Sequence, residues 1–160
     1  MMKNLLLEIA RWAVAMAAVV SLAVMFRAAP ISDADPGAVR EAVTAQMDMT
    51  NVLEADNQMI RRLYGLDIAS YDACILYYPA TNMGAEELLI VKLASADQAQ
   101  AVQTAVEKRL QTQKNTFDGY GVEQYDLLTN HAVIEVRGNY VLFVAAPNAD
   151  DLRQAFLGAL

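Results

Sequence analysis

At 160 residues the chain has room for one domain and one further segment, and 56% of it is apolar. Its formal charge is −7; three of the 12 basic residues and one of the 19 acidic ones precede Ala28, leaving 9 against 18 in the remainder. So acidic a remainder is repelled by nucleic acid and anionic lipid, and no basic stripe with interleaved aromatics offsets it, so no nucleic-acid partner is expected.

The N-terminal region is read first. Trp12–Phe26 carries no charge, and Arg11 and Arg27 bracket it. Extended to Leu5–Phe26 it covers 22 positions, about 33 Å as a helix, enough for a hydrocarbon core. Glu8 and Arg11 lie one turn apart near one end, where they can pair and Arg11 can snorkel. Residues 1–27 are therefore expected to be a single-pass membrane anchor. The alternative is a cleaved signal followed by secretion, but Arg27 or Phe26 would fall at the −3 position of its site. Lys3 and Arg11 precede the run, while Asp33, Asp35 and Glu41 follow Arg27. The positive-inside bias puts the N-terminus in the cytoplasm and residues 36–160 outside. No cysteine ends the run, which excludes an acylated lipoprotein anchor.

Residues 28–35 read as a short polar linker. Asp35-Pro36 is a helix start, with a cap followed by proline at the first helical position. Val39, Val43 and Met47 then predict a helix near 36–47. A second helix is expected over 54–64, stopped by Gly65. Ala73–Tyr78 and Glu87–Leu93 read as strands separated by a turn-rich segment. Ser95 and Gln98 form a capping-box pattern opening a long helix to about Lys114, with Ala99, Val102, Val106 and Leu110 along one face. Residues 116–128 read as a loop. Ala132–Arg137 and Tyr140–Ala145 flank Gly138-Asn139, a two-residue hairpin signal, and a last helix starts at Asn148.

The order strand, strand, helix thus occurs twice. Val91 and Phe143 occupy equivalent places 52 residues apart. The expected fold is α+β: a four-stranded antiparallel sheet from two ββα units, their helices on one face, preceded by the N-terminal helices. The hairpin register pairs Val136 with Val141 and Ile134 with Phe143, which puts these residues on the core face. The opposite face carries Val133, Glu135 and Arg137 with Tyr140, Leu142 and Val144, and is still apolar. It is either covered by the two N-terminal helices or an exposed patch for a partner.

Reactive constellations are absent. His131 has no second histidine or cysteine with which to share a metal, and no cofactor is expected. Cys74, the only cysteine, lies in an apolar run and reads as a small buried hydrophobe. Glu86-Glu87 and Asp150-Asp151 read as solvated carboxylates, since adjacent side chains diverge. Ser95 is a cap rather than a nucleophile. Gly119-Tyr120-Gly121 lacks the strand-to-helix setting of a phosphate loop. Tyr77, Tyr78, Tyr120 and Tyr125 lie near connections and could line a groove for a peptide or glycan. The candidate interaction surface is Tyr140, Leu142 and Val144 with Tyr77 and Tyr78.

Glu54–Leu66, Tyr78-Pro79, Asn82–Glu87, Phe117–Gln124 and Val136–Tyr140 together resemble the domain of unknown function 4358 family over roughly residues 36–160. The resemblance implies a small extracytoplasmic protein of the clostridial group with an N-terminal membrane segment or lipoprotein signal. This chain departs from the lipoprotein form, having no cysteine to modify. The family implies no activity, so no functional residue is carried over. Two expectations follow. The first is a membrane-tethered, non-catalytic interaction module of the cell envelope with a protein or peptide partner. The second is a small-ligand binder or enzyme using the tyrosine-rich loops and Glu86 or Glu123. Two carboxylates meeting in one pocket, or one beside His131, would favour the second; an open apolar sheet face would favour the first.

Overall fold

The computed structural model describes residues 30–160. The expected membrane anchor over residues 1–27 lies outside them. Among the described residues no helix is long and apolar enough to cross a membrane.

Asp35 caps α1 (Pro36–Thr44): its carboxylate accepts from the Ala38 amide at 3.0 Å, and Pro36 opens the helix without needing a donor. Val39 and Val43, one turn apart, form its buried stripe. A three-residue strand, β1 (Val52–Glu54), follows. The second helix therefore starts later than expected. It is α2 (Asn57–Tyr64), with Asp56 accepting from the Met59 amide at 2.8 Å. Gly65 ends it at φ +70°, in the left-handed region open to glycine. β2 (Tyr71–Pro79) and β3 (Glu87–Leu93) come next. The capping box at Ser95 and Gln98 forms and leads through a short 3-10 turn into α3 (Ala99–Phe117).

The expected loop over 116–128 is largely a helix, α4 (Val122–Asn130). It starts at Gly121 with no side-chain cap, and only Leu128 is fully buried, so it carries neither start signal nor stripe. β4 (Ala132–Arg137) and β5 (Tyr140–Ala145) form the expected hairpin, with Ile134 opposite Phe143 and Val136 opposite Val141. α5 (Ala149–Gly158) ends the fold.

The sheet is antiparallel and has five strands rather than four, in the order β1-β2-β3-β5-β4. One face carries Leu76, Leu89, Val91, Val141 and Phe143 beneath α2, α3 and α4. The other carries Leu88, Ile90, Tyr140, Leu142 and Val144 beneath α1 and α5. The two repeat helices, α3 and α5, therefore lie on opposite faces, and the two N-terminal helices are likewise divided. The reason lies in the central strands. All six residues of β5 are buried and six of seven in β3, so neither has a polar side to direct the following helix.

Residues 30–35 do not hang free as a linker. The Ser32 amide donates to Asn139 Oδ1 at 2.8 Å, and Ser32 Oγ to the Leu160 carbonyl at 2.9 Å. The Ala34 carbonyl accepts from Tyr140 Oη at 2.7 Å and Lys92 Nζ at 3.0 Å. This strap crosses the sheet at the β4–β5 turn, where Gly138 has φ +58° and a Cβ would stand 2.2 Å from the Pro30 carbonyl oxygen.

Candidate functional site

The expected interaction surface is internal. Tyr140, Leu142 and Val144 are fully buried beneath α1 and α5, and Tyr77 belongs to the same core. Burial of an apolar sheet face beneath two helices leaves no patch for a partner. Tyr78 points to the other face, where it packs at the edge of the first core. Tyr120 and Tyr125 are exposed around the start of α4, so the four tyrosines form no common groove. His131 is exposed and lines a depression of about 230 Å³ with Asp150 and Asp151. Cys74 packs against the first core, and burial pushes its thiol up to about 12.

The adjacent carboxylates Glu86 and Glu87 have opposite fates. Glu87 is not the solvated residue expected; it is 0% exposed. It alternates with Leu89, Val91 and Leu93 on the first core face, so strand periodicity directs it inward. On α3 the stripe Val102, Val106, Arg109, Gln113, Phe117 runs at spacings of three and four and meets it.

Arg109 donates to Glu87 through Nε at 3.1 Å and Nη2 at 2.7 Å, a two-point pairing that matches the guanidinium plane. Gln113 Nε2 donates to Glu87 Oε2 at 2.9 Å, and Tyr64 Oη donates to Oε1. Glu87 thus has four donors from two helices. Burial, and next the neighbouring Glu87 charge, push the Tyr64 hydroxyl well above its ordinary value. Burial works against the Arg109 charge, but hydrogen bonding and attraction to Glu87 outweigh it and move the guanidinium up. Gln113 Oε1 is the one buried side-chain polar atom among the described residues without a hydrogen-bond partner.

Two clefts open at the end of the sheet beside this network. Loop 80–86 stands between them, tied down by Ala80 N donating to the Asn51 carbonyl at 2.8 Å and Gly84 N to the Thr81 carbonyl at 3.1 Å. The larger, about 410 Å³, is lined by Asn51, Thr81, Met83, Glu86, Glu123 and Gln124 among others. It brings together the two carboxylates singled out from the sequence. Partial burial, then the charge of Asp48, raise the Glu86 carboxyl above its ordinary value. The second cleft, about 330 Å³, lies against α2 and α3 and is lined by Arg62, Tyr78, Asn82, Arg109, Gln113 and Phe117 among others. Among the described residues no group of three or more His, Cys, Asp or Glu is placed to hold a metal.

Clefts that flank one loop at one end of a sheet sealed on both faces mark an α+β domain whose open, concave surface is at its end. The family model described as Domain of unknown function (DUF4358) matches residues 45–146. The chain belongs to that family. No curated protein and no solved structure matches it.

Proposed function

We propose that the domain is a ligand-binding domain of the bacterial cell envelope, held at the outer side of the membrane by residues 5–26. Its ligand is a peptide or small molecule with a cationic group, taken at the end of the sheet around loop 80–86. The observation that carries this reading is the meeting of Glu86 and Glu123 in one cleft, while helices cover both faces of the sheet. A cation entering the cleft would restore to the partly desolvated Glu86 carboxylate some of the stabilisation it has lost. Attachment outside the cell rests on the uncharged run Trp12–Phe26 and the acidic residues that follow it.

A photo-crosslinking residue in place of Met83, which is exposed in the cleft wall, tests the binding end in the full chain in its native cells. Adducts that form at 83 and fade in Glu86→Gln support the reading; equal adducts from a control position at Gln100 overturn it. Protease added to intact protoplasts should digest residues 36–160, and full protection would reverse the orientation.

A further inference from the structure

We propose that the second cleft is a separate binding site for an anionic group, a carboxylate or a phosphate, carried on an apolar body. It stands whether or not the cleft of Glu86 and Glu123 takes a cation.

The lining of this cleft includes two guanidinium groups, Arg62 and Arg109, and no carboxylate. That is unusual in a region with twice as many acidic as basic residues. Arg62 has no ion-pair partner among the described residues, while its neighbour Arg61 is paired with Asp67 at 2.7 Å. Arg109 is held at the cleft wall with its side chain 16% exposed. Glu87 engages its Nε and Nη2 and so fixes the plane of the group. Nη1 takes no part in the pairing with Glu87. The arrangement resembles the supporting shell of an oriented ligand-binding arginine, with the ordering done before a ligand arrives.

Gln113 is the independent observation. It is 5% exposed, lines this cleft, and gives its amide nitrogen to Glu87. Its carbonyl oxygen is left without a donor. A carbonyl oxygen repels an anion and asks for a donor, so it would receive a ligand hydroxyl or a water beside the anionic group. Leu63, Tyr78 and Phe117 supply the apolar wall. A lining that holds both guanidinium groups and apolar side chains selects an amphipathic anion over a free inorganic ion.

The test uses the isotope-labelled full chain in nanodiscs, titrated with phenyl phosphate, benzyl alcohol and inorganic phosphate. Saturable shifts at Arg62, Asn82 and Gln113 with phenyl phosphate, binding about tenfold or more tighter than benzyl alcohol, are expected from a charge-assisted hydrogen bond. Arg62→Gln, an exposed change that leaves the fold intact, should weaken phenyl phosphate by about the same factor and benzyl alcohol hardly at all. No saturable shift, equal affinity for the alcohol, or an unaltered Arg62→Gln variant would each overturn the site. Inorganic phosphate binding as tightly as phenyl phosphate would remove the apolar body from the assignment.

Discussion

Glu87 and Arg109, 22 residues apart in sequence, meet in a two-point ion pair that joins the first residue of β3 to the middle of α3. With Glu87 fully buried, removal of either partner strands a charge in the core. Arg109→Met should therefore cost about 3–5 kcal/mol in urea unfolding. Glu87→Leu with Arg109→Met should cost clearly less than the sum of the single changes, because neither charge is then left alone. Additive losses would show that the two groups do not depend on one another.

The two cores predict two sensitive sets along one strand. Phe143→Ala on the first face should cost about 3–5 kcal/mol, and Leu142→Ala on the second about 2–5 kcal/mol. A loss near zero for Leu142→Ala would mean that α1 and α5 do not close that face. Glu135 lies on the second face as well, and its carboxylate accepts from Arg153 Nε of α5 at 2.6 Å. It is not the ordinary surface residue that its strand position suggests. Glu135→Ala should cost at most about 1 kcal/mol, since Arg153 remains partly solvated.

Cys74 supplies a kinetic and a thermodynamic test. With its thiol moved from an ordinary 9.0 to about 12, roughly one thiol in ten thousand is ionised at pH 8 in the native protein, against about one in ten when unfolded. Ellman's reagent should react slowly with the folded chain and rapidly in urea. The native state keeps this proton while the unfolded state releases it. Stability should therefore fall as pH rises from 9.0 toward about 12. Tyr140, pushed up to about 12 mainly by burial, acts in the same direction. Cys74→Ala should flatten part of that decline, and an unchanged alkaline slope would place the effect elsewhere.

Glu86 gives the proposed cation cleft its own pH signature. Its carboxyl is raised above the ordinary 4.5, so just above that pH it still holds a proton with which a cation must compete. A lysine-containing tripeptide should bind more tightly as pH rises through this region and should release protons on binding. Glu86→Gln should weaken both effects, with Glu123 left as the remaining carboxylate of the cleft. A pH-independent affinity in the unaltered protein would argue against Glu86 as the contact.

Much of the frame could be read from single residues. Gly138-Asn139 announces its hairpin because the turn needs a positive φ at Gly138, and the pairing of Ile134 with Phe143 follows from it. Asp35-Pro36 and Ser95 with Gln98 are local signals, satisfied by hydrogen bonds within a few residues. What could not be read depends on distance. β1 is three residues held by pairing to β2, and α4 has neither cap nor stripe. The faces taken by α3 and α5 are undetermined because β3 and β5 are apolar on both sides. Glu87 could have been placed inward by its alternation with Leu89 and Val91. Its four donors come from Tyr64, Arg109 and Gln113, which no local pattern links to it.

The strap at Ser32 and Ala34 gives the domain a polarity. It is fastened beside the turn at Gly138, whereas loop 80–86 and its clefts sit at the far end of the strands. The seven residues of β3 separate the two ends by roughly 20 Å at about 3.3 Å per residue. Whatever holds the N-terminal segment therefore holds the domain by its tail. With the attachment proposed above, the hairpin tip would face it and the clefts would look outward, some two nanometres away along the strands. In that arrangement a ligand approaching from the open side would meet the clefts first, and one confined to the attachment surface would have to travel the height of the sheet to reach them.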